Sequence, residues 1–313
     1  MAKVAMPALP LIIGLLFGFV TRFVTLRIDY RQYPGYPAGY TSHLTFGFIA
    51  AFIGALVVPA FIAKEYTAVS FLALAAQQFS QIRMVERKSL ESIEQYTLVK
   101  RGPEYIEGIA RTFEQRNYLT MLVGMISSAA ASWMWWAGIV VGLAGIGVSL
   151  LAKSGETIGD LMWVRPGKLW FERTLLYVDD VMMMEVGMPH PRERYLRDGM
   201  GVVLEPKNPL GQAVLWDLSQ REAMVYDAVQ MVGVQKDVGY PEQTPLCRME
   251  MPGASGRAAL SIIPVEKDMK ALIEAVQGTP VLESTKANPL VSKYIKQLKK
   301  KGRKGAVDDE GKR

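Results

Sequence analysis

Two histidines, one cysteine and a scatter of carboxylates are all that chemistry could start from in this 313-residue chain. His43 and His190 lie far apart in sequence, and Cys247 stands alone, so an intrachain disulfide and a cysteine metal cluster are both excluded. A zinc site would have to lean on carboxylates, and no metal or cofactor is expected. Glu104, Glu107, Asp179, Asp180 and Glu185 are acids that a hydrolytic mechanism could use, but each reads more simply as a surface charge. His43 abuts a long apolar run with no second catalytic partner evident in the sequence. The chain has no phosphate-cradling glycine loop, no G-x-S-x-G elbow and no H-E-x-x-H pair. It reads as non-enzymatic.

The elements that would position these groups divide unevenly. The mean hydropathy is +0.13, and every long charge-free run lies in residues 1–152. Residues 4–21 form an apolar run ending at Arg22, which with Arg27 can snorkel at the end of a spanning helix. Residues 27–40, with paired prolines and glycines and several tyrosines, read as an interfacial loop. Residues 44–63 carry no charge and are the clearest span. Residues 67–76 are apolar but short, and read as a helix that starts in the interface and continues into the cytosol, with a short third span as the alternative. From Ile82 the pattern is amphipathic until Lys100-Arg101-Gly102-Pro103 breaks it. A helix then opens at Pro103, with Glu104 and Glu107 in its first turns and Arg111 four residues after Glu107. The two helices form an antiparallel hairpin on the membrane surface. Residues 119–152 hold no ionisable side chain. As one helix they would be roughly 50 Å long, against a hydrocarbon core of about 30 Å, so two short spans turning near residues 133–138 fit better.

Lysine and arginine counts place residues 64–117 in the cytosol, the loop 22–43 outside and the N-terminus inside. A hairpin over 119–152 then leaves the C-terminal domain cytosolic. The patterns Gly14-x3-Gly18, Ala50-x3-Gly54 and Gly138-x3-Gly142 suit close helix packing, within the chain or between copies. The absence of charge from 44–63 and 119–152 disfavours a pump or proton relay.

The expected architecture is a polytopic α-helical membrane region followed by an α+β soluble domain with tandem β-β-α units. Its parts are two spans in 1–63, a helical hairpin in 64–117, a transmembrane hairpin in 118–152, the α+β domain in 153–284 and a basic tail in 285–313. In the α+β domain, 162–172 reads as a hairpin around Pro166-Gly167, and 201–205 with 212–218 as a second. Ser219-Gln-Arg-Glu222 reads as a capping box opening a helix to about Val232. Residues 246–251 and 258–263 form a third hairpin, followed by a helix over 265–277. The net charge of +6 resides in the tail, where residues 293–304 carry seven cations and no acid. Lys293, Lys296, Lys299, Lys300 and Lys301 lie among apolar residues at helical spacing and suit contact with anionic lipid. A nucleic-acid face is not expected. The partners expected are the bilayer and either further copies of the chain or a small soluble subunit.

Tyr105-Ile106-Glu107-Gly108-Ile109-Ala110 spells a family name, and the chain resembles the YIEGIA proteins. Asp29-Tyr30-Arg31-Gln-Tyr-Pro34, Phe71 to Phe79 and Arg116-Asn-Tyr-Leu119 carry the same likeness. The resemblance implies a membrane protein of spore-forming Firmicutes, a link to sporulation and association with a small soluble subunit. It supplies no catalytic residues. The reading is a membrane-anchoring or assembly subunit, with a passive channel and a membrane-surface lipid enzyme using His43 as alternatives.

Overall fold

The computed structural model describes residues 8–29, 37–151, 156–235, 243–250 and 256–287. The chain divides into two units, residues 1–92 with 107–154 and residues 93–106 with 155–313. The first is helical: α1 (Ala8–Asp29), α2 (Pro37–Ile62), α3 (Tyr66–Gln78), one 3-10 turn (Phe79–Gln81), α4 (Ile82–Glu94), α5 (Pro103–Trp133) and α6 (Trp135–Leu151). The division falls inside α5, between Ile106 and Glu107. Two stretches, Ala8–Leu26 and Gly39–Ile62, are long and apolar enough to cross a membrane, and α6 is apolar but shorter. The first runs past Arg22, which therefore lies within the apolar helix and not at its end.

The chain turns back sharply after α2. Lys64 takes a positive φ of 59°, its N–H bonds to Phe61 at 3.0 Å, and the Glu65 N–H bonds to Ala60 at 3.0 Å. Leu72, Phe79 and Ile82 then pack with Ala50, Ile53 and Ala60 of α2 and Phe113 of α5. Residues 66–86 thus return along α2 to the end that holds His43, where His43 meets Glu86 at 3.4 Å and Phe113 at 4.2 Å between rings. Arg22 and His43, from the stretch expected outside, meet Glu86 and Phe113, from the stretch expected in the cytosol, at one end of the helical unit. The physical reason is that α3 buries its apolar face on α2 rather than running out into water.

A break after Trp133, at Met134, separates α5 from α6 within the stretch expected to turn. A Cβ on Gly138 would meet Ala131 and the Ser127 carbonyl, and one on Gly145 would lie 3.0 Å from Val123, so α6 runs antiparallel along α5. The other glycines of the packing patterns are also used inside the chain. A Cβ on Gly14 would lie 2.6 Å from the Gly124 carbonyl oxygen, one on Gly54 would overlap the Met121 backbone, and one on Gly142 would strike Phe17. Ser128 ties α5 to α2 by donating to the Ala55 carbonyl at 2.7 Å.

The second unit is α+β: α7 (Ile158–Leu161), β1 (Met162–Gly167), β2 (Leu169–Glu172), β3 (Leu175–Val178), β4 (Val181–Glu185), α8 (Pro189–Asp198), β5 (Met200–Pro206), α9 (Pro209–Trp216), α10 (Leu218–Val232), β6 (Leu246–Met249), β7 (Ala258–Ile262), α11 (Met269–Gly278) and α12 (Glu283–Ala287). Two antiparallel sheets form, in the orders β1-β5-β7-β6 and β2-β3-β4. Strands β5 and β7 are buried on both faces. Val202, Leu204, Leu260 and Ile262 face Met224, Val225, Ala228, Leu272 and Val276 of α10 and α11. Val203 and Ala259 face Leu176, Val178, Val181, Met183 and Tyr195 on the other side.

Three of the expected connections change. Residues 162–172 supply two strands, but β1 pairs with β5 and β2 with β3, so Pro166-Gly167 ends a strand of one sheet rather than turning a hairpin. Residues 212–218 belong to helices, because Asn208 accepts the Gly211 N–H at 2.8 Å as an N-cap with Pro209 behind it. Helix α10 starts as expected, yet Asp217, not Ser219, caps it by accepting the Ser219 N–H at 2.9 Å. The first β-β-α unit is therefore β-α-α, and only β6-β7-α11 keeps the expected order. There Asp268 caps α11, accepting from the Lys270 and Ala271 N–H groups.

Candidate functional site

The segment Tyr105–Ala110 sits near the start of α5 and is fixed from several sides. The loop before it is set by Glu94, whose carboxylate accepts the backbone N–H groups of Arg101 and Gly102. Gly102 has φ +90°, a left-handed turn that suits glycine, and Pro103 opens the helix. Tyr105 is 3% exposed, and its hydroxyl donates to both Asp227 oxygens, at 2.9 and 3.1 Å. Its ring stands edge-on to Tyr226, centroids 6.1 Å apart, and Arg101 lies 4.7 Å over the Tyr226 ring. Burial, with Asp227 alongside, pushes the Tyr105 phenol well above its ordinary range, so it stays a donor. Burial also lifts Asp227 to about 6, against the opposing bonds from Thr279 and Tyr105.

In the helical unit Glu107 pairs with Arg83 and, at 3.5 Å, with Arg87, binding α5 to α4. Ile109, Ala110 and Phe113 are buried, as is Ile106 in the other unit. Gly108 differs: nothing lies within 4 Å of where its Cβ would be. The Asp29 side chain, Tyr30, Arg31 and the lysines at 293, 296, 299, 300 and 301 lie outside the described residues.

A second polar centre was not legible as a set. Arg22 is fully buried and His43 is 3% exposed. An Arg22 Nη2 atom lies 3.1 Å from His43 Nδ1, and His43 Nε2 lies 3.4 Å from Glu86 Oε1. Arginine only donates, so Nδ1 accepts and Nε2 carries the proton toward Glu86. The guanidinium also lies 5.2 Å over the Phe113 ring, and Gly47 makes room for its stem, since a Cβ there would meet Arg22. The imidazole thus links a buried cation to a carboxylate. Arg22 does not snorkel from a helix end, and His43, which lacked a partner in the sequence, has two. A charge breaking an apolar helix was the signal for Arg22. The corresponding signal for Asp227 was a lone acid in the apolar run Ala223–Val229 of α10.

The remaining carboxylates do structural work. Arg165 bridges Asp179 at 2.6 Å and Glu205 at 3.0 Å. Burial works to raise Asp179, but the Lys168 N–H and Arg165 outweigh it and hold that carboxyl low. Asp180 faces Arg257 at 3.4 Å, and Glu185 accepts from the Thr174 hydroxyl at 3.0 Å. Among the described residues no three His, Cys, Asp or Glu side chains are grouped to hold a metal. Cys247 is buried, which pushes its thiol up to about 12, far from a reactive thiolate.

No solved structure matches the chain. It is 35% identical over 292 residues to the "Uncharacterized protein YphB" of Bacillus subtilis (strain 168), covering 93% of this chain and 97% of that one. The family model described as "YIEGIA protein" matches residues 10–292, from within α1 to beyond α12, and so takes in the Arg22–His43 centre and the Tyr105–Asp227 contact alike. The chain belongs to the YIEGIA family.

Proposed function

We propose that this protein is a non-enzymatic subunit that anchors an assembly at a bacterial cytoplasmic membrane, with its helical unit in the bilayer and its α+β unit in the cytosol. One observation carries the reading: the helical unit exposes large apolar side chains and buries polar and charged ones. Leu9, Ile12 and Leu16 of α1, Phe48 and Phe52 of α2, and Val140, Leu143 and Val148 of α6 are exposed, while Arg22, His43, Asn117 and Thr120 are buried. Water would penalise that arrangement and hydrocarbon favours it. Residues 66–86 run about 30 Å as helix, the thickness of a hydrocarbon core, and in this reading they form a further crossing. Arg22, Arg83, Arg87 and Arg116 gather at the His43 end, so the positive-inside rule makes that end cytosolic and the N-terminus external. This reverses the orientation expected from loop counts, which had set 22–43 opposite 64–117. Trp133, Trp135 and Trp136 are exposed at the other end, where an interfacial belt would lie.

Single-cysteine labelling in a Cys247→Ser background tests the orientation. Labels at positions 66 and 135 are expected on the outer face and one at 270 on the inner face; position 66 reacting from the cytosol overturns it. Release of the chain by alkaline carbonate would remove the membrane assignment itself. The assembly role predicts a particle heavier than one chain by light scattering in mild detergent, and a strict monomer without partner would end it. The link to sporulation belongs to the same proposal, and an unaltered spore yield on deletion in a spore-forming host argues against it.

A passive conduit is the second reading, favoured by the fully buried Asn117, Thr120 and Ser127 side chains, which have no protein hydrogen-bond partner along one stripe of α5. Liposome flux measurements decide it; absence of flux for water, protons and small ions removes it.

A further inference from the structure

The α+β unit contains a cavity of about 530 Å³, within the size range of small-ligand sites. Its walls come from three places. Leu218, Arg221, Glu222 and Val225 line it from one face of α10, Leu98, Val99, Lys100 and Gly102 from the loop between α4 and α5, Pro103 from the first position of α5, and Leu246 and Cys247 from β6. The loop is held in shape by Glu94, whose carboxylate is occupied by the Arg101 and Gly102 N–H groups. Strand β6 is an edge of its sheet.

The charges in this cavity do not balance by contact. Arg221 lies partly buried, with its Nε withdrawn from solvent and without a hydrogen-bond partner. Among the described residues neither Arg221 nor Lys100 has a carboxylate within ion-pair distance. A guanidinium Nε withdrawn from water without an acceptor carries a cost, and a ligand that reaches the same guanidinium would offset it. The rest of the lining is mostly aliphatic: Leu98, Val99, Val225 and Leu246.

We propose that this cavity binds a small organic anion with an apolar body, its carboxylate or phosphate held by Arg221 and Lys100 and its chain lying on Leu98, Val225 and Leu246. Arginine presents a planar fork that matches such an anion, and lysine adds a point charge. Glu222 is exposed at the rim and opposes the same ligand. The proposal does not depend on the membrane reading, since every lining residue belongs to the α+β unit.

The test uses the full chain in nanodiscs of neutral lipid, with radiolabelled hexanoate in equilibrium dialysis and empty discs subtracted. Saturable uptake is expected, displaced by hexyl phosphate and not by hexanol. Arg221→Gln is expected to weaken it about tenfold, and Arg221→Lys less, because the charge remains without the fork. Glu222→Gln, an exposed change that leaves the walls intact, is expected to tighten binding by about threefold. Repeating the measurement in discs containing phosphatidylglycerol separates the sources of the anion. Uptake retained there assigns the site to a free acid, and uptake lost there assigns it to a lipid headgroup of the same chemistry. No saturable uptake, hexanol binding as tightly as hexanoate, or both Arg221 variants binding like the wild type would overturn the proposal.

Discussion

Tyr105 and Asp227 are 122 positions apart and share two short hydrogen-bond contacts. Tyr105→Phe keeps the ring against Tyr226 and removes the donor, so it should cost about 1–3 kcal/mol in urea unfolding of the chain in mild detergent. The same pair sets a pH dependence. Asp227 has a folded pKa of about 6, above the value of roughly 4 for an unfolded aspartate. The folded state therefore binds the extra proton between those values, and stability should rise as pH falls from 6 toward 4. Asp198 acts in the opposite sense: hydrogen bonds from Arg197 and Lys267 hold it at about 2, so its contribution is present above about pH 4 and lost below it. Urea midpoints at pH 4, 5, 6 and 7 should fall across the upper window, and Asp227→Asn should flatten that slope. At the second centre, His43→Leu removes the link between Arg22 and Glu86 and is expected to cost on the order of 3 kcal/mol, part of which Arg22→Met restores in the double variant. Thermal aggregation of the three variants measures this. The sequence exposed Tyr105 and Glu107 through their motif, but their partners Asp227, Arg83 and Arg87 are supplied by tertiary packing, which no local pattern encodes.

Among the elements, glycines separate into those that the fold requires and those that it does not. Gly54 faces the Met121 backbone, and Gly54→Val should abolish recovery of folded protein, since two helices would have to part. Gly108 has open space around it, and Gly108→Ala should stabilise α5 by about 0.5–1 kcal/mol, read as a higher melting temperature in detergent. Helices with long apolar runs and the second strand pair were legible: α2, α10 and the β6–β7 pair fall where residue pattern placed them. Failures came where a local signal had two meanings. Asn208-Pro209 serves equally as a turn and as a helix start, and residues 210–215 that follow, mostly apolar but for Gln212, settle as α9. Met-rich β4, which residue pattern left unassigned, needs β3 beside it before its alternation means anything.

At the scale of the whole chain, the membrane-like half and the α+β half were legible from charge distribution, while the path through the first was not. The ten clean residues of α3 read as too few to cross, with a short span as the alternative, and Leu72 with Phe79 just after it packs on α2. The excursion of residues 93–106 out of the helical unit has a consequence for biosynthesis. A ribosome delivers Tyr105 and Ile106 well before it makes Asp227 or α11, so this stretch must wait, unsheltered, while α5 and α6 are being produced. A gene cut at residue 152 to obtain the C-terminal half would yield a product missing one of its own pieces, whereas grafting 93–106 back through a linker should restore its solubility.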